Sequence, residues 1–115
     1  MIVSVIIPIG CRDFLEDCRR SVYSSIEKCA ANVKCEVVEV FDDERKGVSW
    51  ARNEGLKRAN GDWIAWVDCD DIVEENWFSE IADAIEYHAD SDIIQFDAVE
   101  IKKGKERFLI STASN

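Results

Sequence analysis

Basic residues are scarce in this 115-residue sequence, which carries 14 Lys and Arg against 24 Asp and Glu and has a formal net charge of −10. A protein that binds nucleic acid needs clustered cations to neutralise the phosphate backbone. Binding to an anionic membrane surface needs a similar basic patch. The composition therefore argues against both nucleic acid and a charged lipid surface as partners.

Disulfide and zinc-binding patterns are missing as well. The five cysteines are odd in number and form no Cys-x-x-Cys pair, which argues against a disulfide framework. His88 is the only histidine, and no zinc-ligand spacing recurs. Cys18 and Cys29 fall on an apolar helical stripe, so we expect both thiols to be buried and reduced.

Long hydrophobic runs are also absent. The longest uncharged run near the start covers residues 2–11, well short of the ~18–20 apolar residues that a membrane span needs. The sequence begins without a basic segment or a cleavage-site pattern of the secretory type. We therefore expect no transmembrane segment, no signal peptide and a cytoplasmic location.

The hydrophobic pattern alternates between strand and helix. The length favours one domain over residues 1–115, and 47% apolar residues can supply its core. Strands are predicted at 2–7, 35–41, 63–67 and 92–101, helices at 13–30, 49–59 and 74–88, and a terminal hairpin with its turn at 102–105 and its return strand at 106–110. This order is typical of an α/β fold with a mostly parallel sheet.

The second predicted helix carries two local signals. Ser49 is a good N-cap residue for it. Gly55 costs about 1 kcal/mol relative to Ala inside a helix, a cost that close packing against the sheet would offset. Simple tolerance of the glycine is the alternative.

Acidic residues collect where predicted strands end, with Asp42 and Asp43 after the second and Asp68, Asp70 and Asp71 after the third. Ligands of open α/β sheets bind beyond these carboxyl ends. Clustered carboxylates repel one another unless a cation neutralises them, and a hard ion such as Mg²⁺ or Mn²⁺ suits oxygen ligands. If the third strand continues through Asp70, Asp68 shares its face and Asp71 points the other way. The alternative is a solvated acidic turn in which Asp70 or Asp71 caps the next helix.

A second candidate feature is the loop at residues 46–49, which leads into a helix bearing Arg52 and Asn53. Backbone N–H groups at a helix start favour an anion, and a guanidinium suits phosphate or carboxylate. Alternatively, Arg52 pairs with the acidic loop.

Together these segments resemble family 2 glycosyltransferases with the GT-A fold. The resemblance rests on Val3-Ser-Val-Ile-Ile-Pro8, on Asp42-Asp43, and on Lys46-Gly47-Val48-Ser49, Ala51-Arg52-Asn53, Gly55, Ala59, Gly61 and Asp68-Cys69-Asp70-Asp71. It implies a three-layer, Rossmann-like α/β fold, a nucleotide-diphosphate sugar as donor, Mn²⁺ or Mg²⁺ as cofactor, and sugar transfer with inversion to an acceptor.

The resemblance also implies roles for single residues. Pro8 and its neighbour Ile9 would border the nucleoside, and Asp42 or Asp43 would bind the base or ribose. Arg52 and Asn53 would lie near the diphosphate. The metal motif would be Asp68 and Asp70, with Asp70 as the direct ligand and Asp71 as a further candidate, and Asp68 would also be a donor-binding residue.

Three departures from the family pattern affect these expectations. Ile9-Gly10-Cys11 replaces the family's usual residues after the proline. Only Glu44 and Arg45 separate the acidic pair from the Lys-Gly loop, where the family normally inserts a helix and a strand, so we expect a sheet one strand smaller. The general base of an inverting transferase comes from the acceptor half, and Asp97 and Glu100 are the only weak candidates here.

Two other classes of function stay open at this stage. The chain could be a non-catalytic module that binds nucleotide sugar and metal, or a degenerate transferase domain that acts with a partner. The sequence does not identify the acceptor, a glycan or a lipid-linked molecule, and it leaves homo-oligomer formation open.

Overall fold

The computed structural model describes residues 2–87, 93–94 and 109–112. The strands are β1 (Ile2–Ile9), β2 (Lys34–Phe41), β3 (Trp63–Trp66), β4 (Ile93–Ile94) and β5 (Leu109–Thr112), and the helices are α1 (Leu15–Glu27), α2 (Val48–Arg58) and α3 (Trp77–Tyr87). Their order in the sheet is β2-β1-β3-β5-β4. β1 is parallel to β2 and β3, while β5 is antiparallel to β3 and β4. The prediction of an α/β fold around a mostly parallel sheet is confirmed.

Helices cover both faces of β1, which lies in the middle of the parallel part. Its odd-numbered residues, from Val3 to Ile9, join α1 and α3 in the main core cluster. On the opposite face, a Cβ added to Gly55 of α2 would overlap the side chain of Ile6. Gly55 therefore allows α2 to approach the sheet closely, and the close-packing explanation for this glycine is the one that the structure supports.

β1 continues through Pro8 to Ile9, so the predicted end of this strand at residue 7 is wrong. In a strand the N–H and C=O of one residue point to the same side, and successive residues alternate. Ile6 accepts from Val67 on the β3 side, and Ile9 accepts from Asp42 on the β2 side. Pro8 therefore faces the β3 side beyond that strand's last residue, where its missing N–H breaks no strand pairing.

The helices begin later or end earlier than the sequence predicts, and the N-cap of α2 differs. α2 starts at Val48 with Gly47 as its N-cap residue at φ 109°, and no side chain caps it. Ser49 therefore lies in the first turn, and its prediction as the cap is wrong. The left-handed conformation of Gly47 turns the chain into the helix one residue earlier.

α3 begins at Trp77 rather than at residue 74. Ser25 of α1 engages two backbone groups that a helix from residue 74 would pair locally, because it accepts the Phe78 N–H and donates to the Glu75 carbonyl oxygen. These tertiary bonds replace the local bonds that an earlier helical turn would make.

The antiparallel pairing of β4 and β5 agrees with the expected hairpin, with β5 at Leu109–Thr112 instead of 106–110. The turn at 102–105 and the candidate bases Asp97 and Glu100 lie outside the described residues. Cys18 is buried, Cys29 is half-buried, and the cysteines in the described part of the chain are free thiols. No described helix combines the length and apolar character needed to span a membrane.

Candidate functional site

A cleft of about 400 Å³ opens at the carboxyl ends of β1, β2 and β3. Its lining residues are Pro8, Gly10, Cys11, Phe14, Asp42, Val48, Ala51, Asp68, Cys69 and Asp70. This volume lies within the range of small-molecule sites, about 300–1,000 Å³. The cleft occupies the position where open α/β sheets bind their ligands.

Three carboxylates meet at one side of the cleft. β3 ends at Trp66, and a turn follows in which the Asp71 N–H donates to the Asp68 carbonyl oxygen at 3.0 Å. This turn brings one carboxylate oxygen each of Asp68, Asp70 and Asp71 within 4.8 Å of one another. Because the strand stops before Asp68, the condition under which Asp71 would point away from Asp68 is not met.

The alternative role for these acids was to cap the next helix. α3 begins at Trp77, six residues beyond Asp71, so neither Asp70 nor Asp71 caps it. Asp71 is 7% exposed, whereas Asp70 is exposed and lines the cleft. One acid is thus held inside the protein while its neighbour faces the ligand space.

The three carboxylates are suitable ligands for a hard divalent cation. All three ligand atoms are carboxylate oxygens, which Mg²⁺ and Mn²⁺ prefer. Oxygen ligands of Mg²⁺ lie about 2.1 Å from the ion, so two of them are at most about 4.2 Å apart. The observed limit of 4.8 Å therefore requires only a small rotation of the side chains.

Cys18 of α1 contacts the turn that carries the three aspartates. Its thiol donates to the Asp68 carbonyl oxygen, with the sulfur at 3.5 Å. Burial, together with the nearby Cys69, Asp71 and Asp70, raises the pKa of Cys18 to about 12. The thiol therefore keeps its proton at neutral pH and remains a hydrogen-bond donor.

Asp42 fixes the loop between β2 and α2. Its two carboxylate oxygens accept the N–H groups of Lys46 and Gly47 at 2.7 and 2.8 Å, and its own N–H donates to Ile9 at 2.9 Å. Asp42 is 9% exposed and lines the cleft. The structure thus gives this predicted donor-binding residue a role in shaping the cleft wall.

Asp43 and Ile9 are predicted donor-binding residues that do not line the cleft. Asp43 pairs with Arg12 at 2.8 Å, with side chains 71% and 56% exposed respectively. The Arg12 guanidinium also lies 4.5 Å from the centre of the Phe41 ring. The Ile9 side chain is 2% exposed and belongs to the core beneath the sheet, so the expectation that it borders the nucleoside is wrong for its side chain.

Arg52 and Asn53 are exposed on α2, the helix whose first turn lines the cleft. The Arg52 guanidinium lies 6.0 Å from the centre of the Trp66 ring. Within the described ranges Arg52 forms no ion pair. The alternative that Arg52 pairs with the acidic loop is therefore not found there.

Sequence reasoning missed two apolar residues of the cleft. Phe14 and Val48 line it, yet their side chains are 50% and 54% exposed. Phe14 falls within the helix predicted at 13–30, but α1 begins at Leu15, which takes the core position instead. The adjacent Phe14-Leu15 pair is the available signal, since a helix buries only one of two neighbouring residues on a narrow stripe.

Comparison with known proteins decides the family. The family described as Glycosyl transferase family 2 matches residues 11–112. The chain belongs to glycosyl transferase family 2. A curated relative of this family 2 chain is the glucosyl-dolichyl phosphate glucuronosyltransferase of Haloferax volcanii, with 32% identity over 56 residues, which are 49% of the chain and 18% of that protein.

Solved structures of S. aureus TarS share the fold of this family 2 chain. TarS 1-349 has a TM-score of 0.62 at 21% identity, with 89% of the family 2 chain and 37% of the TarS chain covered. The complex of TarS 1-349 with UDP has a TM-score of 0.61 and the same coverage. The complex with UDP-GlcNAc has a TM-score of 0.58, covering 36% of the TarS chain. The expected GT-A fold is thus confirmed, and the family 2 chain spans less than two fifths of each of these relatives.

Proposed function

We propose that this chain is the nucleotide-sugar-binding part of a metal-dependent, inverting glycosyltransferase. The observation that carries the proposal is the meeting of three carboxylates at the side of a ligand-sized cleft. Neighbouring structures of the same fold contain UDP and UDP-GlcNAc, which supports a nucleotide-diphosphate sugar as the donor class.

In this proposal Asp68, Asp70 and Asp71 hold Mn²⁺ or Mg²⁺. A cation bound there would neutralise the charge that develops on the departing diphosphate. Asp70 is exposed to the cleft and is the best placed to contact the ion directly, whereas buried Asp71 supports the turn from inside. Open coordination positions would be left for phosphate oxygens.

The nucleoside would lie against the apolar side of the cleft. Pro8, Phe14, Val48 and Ala51 line that side, and burial of a base against such residues is favourable. Asp42 holds the loop that carries Val48, so its contribution to donor binding is largely through the shape of the wall. Asp43 would bind donor only after leaving Arg12.

The diphosphate would lie near the start of α2. Backbone N–H groups of a first helical turn attract anions, and Val48 and Ala51 place this turn at the cleft. Arg52 and Asn53 follow one turn into the helix and are exposed, so their side chains can approach a bound phosphate. The Arg52 guanidinium suits phosphate oxygens.

The catalytic base and the acceptor complete the proposal. A direct displacement needs a base that takes the proton of the acceptor hydroxyl. Asp97 and Glu100 stay candidates, and the acceptor stays either a glycan or a lipid-linked molecule. The cytoplasmic location and any homo-oligomer also stay predictions.

Calorimetric titration of the 115-residue chain with UDP-GlcNAc and with a GDP-sugar, each with and without Mn²⁺, tests the proposal. We expect binding heat that depends on Mn²⁺ and disappears in Asp70→Asn. Asp83→Asn on α3 removes the same charge away from the cleft and should bind as the unmodified chain does. Equal heats for both variants would contradict the metal role of Asp70.

Product analysis of the same mixtures distinguishes an enzyme from a binding module. Slow, Mn²⁺-dependent release of nucleoside diphosphate indicates turnover with water as the acceptor. Binding without release indicates a donor-binding module.

A further inference from the structure

Helix α1 is hydrogen-bonded to the irregular segment that carries the three acids. Residues 67–76 between β3 and α3 form no strand or α-helix. Ser21 of α1 accepts the Val73 N–H at 3.1 Å and donates to the Cys18 carbonyl oxygen of its own helix at 2.8 Å. The Ser21 hydroxyl therefore forms a bridge from the helix backbone to the segment backbone.

Ser25 repeats this arrangement one helical turn later. It is fully buried, donates to the Glu75 carbonyl oxygen at 3.0 Å and accepts the Phe78 N–H at 2.9 Å. Residues four apart lie on the same helix face, so Ser21 and Ser25 fall in line along α1. Two hydroxyl groups thus set the separation between α1 and the segment that leads into α3.

The acids lie between anchored points of this segment. The Asp68 carbonyl oxygen accepts both the Cys18 thiol and the Asp71 N–H, and Val73 is held by Ser21. Asp70 and Asp71 fall between these anchors. Carboxylates within 4.8 Å of one another repel in the absence of a cation, and anchors on both sides oppose the opening of the turn.

We infer that Ser21 is a positioning residue for the metal site, which it serves by holding the backbone of the Asp68–Val73 turn against α1. Ser25 extends the same support toward α3. Neither serine touches the ligand: the hydroxyls bind backbone groups only. This inference rests on the proposed function, because it assigns a purpose to the geometry of the three carboxylates.

Variants of neighbouring serines on α1 provide the test. Ser21→Ala removes the bridge, and Ser21→Thr keeps a hydroxyl. Ser24→Ala is the matched control, because Ser24 is half-buried on the same helix and its side chain has no hydrogen bond within the described residues. The readouts are the Mn²⁺ dissociation constant at a temperature where every variant is folded, and the hydrogen exchange of the Asp71 amide.

Ser21→Ala should weaken Mn²⁺ binding about tenfold, the lower end of the effect of groups that orient metal ligands. Ser21→Thr should restore most of the affinity, and Ser24→Ala should leave it unchanged. Exchange at Asp71 should be faster in Ser21→Ala alone. If Ser21→Ala lowers stability but binds Mn²⁺ like the unmodified chain, the serine is only structural and the inference is wrong.

The result also distinguishes this inference from the proposed function. If the unmodified chain binds no Mn²⁺, the proposed function is wrong and the metal-positioning role is wrong with it, and hydrogen exchange then decides only whether Ser21 has the role of holding the backbone of the turn. Faster exchange of Asp71 in Ser21→Ala than in Ser24→Ala then supports that role, and equal exchange overturns it.

Discussion

The two ends of the parallel sheet use carboxylates in opposite ways. At the amino end, Glu36 accepts hydrogen bonds from the Ser4 hydroxyl and from the backbone and side chain of Asn60. At the carboxyl end, three aspartate oxygens approach one another within 4.8 Å. The donors around Glu36 tie strands together, whereas the three aspartates at the carboxyl end are the proposed ligands of a cation.

The pKa of Glu36 reflects the donors around it. Hydrogen bonds from the backbone of Asn60 and from Ser4 hold this pKa below its ordinary value. Those bonds join β1, β2 and the turn before β3, so the carboxylate acts on stability. Changes at the amino end should therefore alter folding alone, and changes at the carboxyl end should alter binding.

The largest effect is expected for Gly61→Ala at the amino end. The added Cβ would overlap Ser4 and come within 2.9 Å of the Ile2 carbonyl oxygen, which are parts of β1 that cannot move away easily. We expect a loss of about 3 kcal/mol in the free energy of unfolding, measured by urea denaturation.

Gly10→Ala is the control for this substitution, because no atom lies within 4 Å of a Cβ at that position. Its unfolding free energy should stay close to that of the unmodified chain. The folded fraction of Gly61→Ala should bind Mn²⁺ normally. Weakened binding in this variant would contradict the idea that changes at the amino end of the sheet affect folding alone.

Asp70→Asn should have the second largest effect, and only when metal is present. Saturating Mn²⁺ at about 100 times its dissociation constant should stabilise the unmodified chain by about 2.7 kcal/mol. Asp70→Asn should lose most of this increment, and chelation with EDTA should make the two proteins nearly equal in thermal unfolding. A Mn²⁺ increment that survives in Asp70→Asn would show that the acids do not form a shared site.

Glu36→Gln should have a moderate effect that depends on pH. Near pH 7 the loss of the charged acceptor should cost about 1 kcal/mol. Because the folded pKa is lowered, the contribution of Glu36 is complete above the unfolded value of about 4.3 and disappears as pH falls through the folded pKa. The difference in unfolding free energy between the two proteins should therefore be smaller at pH 3 than at pH 7, and a difference that does not change with pH would contradict the assignment.

Asp43→Asn should have the smallest effect. The Arg12–Asp43 ion pair is exposed on both sides, and such pairs contribute about 0–1 kcal/mol. Thermal unfolding at low and high salt should show a difference near the experimental error. Weaker binding of UDP-GlcNAc in this variant would instead assign Asp43 to the donor site.

Most of the fold was predictable because the hydrophobic pattern within each strand indicates that strand without information from distant segments. The β-branched run in β1 and the apolar residues of β3 predict buried parallel strands, and acids after those strands predict the position of the cleft. Ile9 was misassigned although the needed signal exists: it has the same parity as Val3 and Ile7, so the alternation of the strand places it in the core.

The remaining errors come from hydrogen bonds between distant segments. Ser25 binds backbone groups at the start of α3, and the turn after β3 brings Asp71 to the other acids. No local pattern around residues 68–76 encodes a partner some 50 positions earlier in the chain. The proximity of Asp68 and Asp70 could be predicted, but the approach of Asp71 to them could not.

The closure of the β2–α2 loop by Asp42 has a consequence for how this architecture can vary. Because the Asp42 carboxylate binds the N–H groups of Lys46 and Gly47, it joins the two residues that flank the short loop at residues 43–45. Extra segments could be grafted there without disturbing the wall beside Val48. Residues 43–45 are therefore a natural entry point for elaboration, by evolution or by an engineer who wishes to add a cover over the cleft.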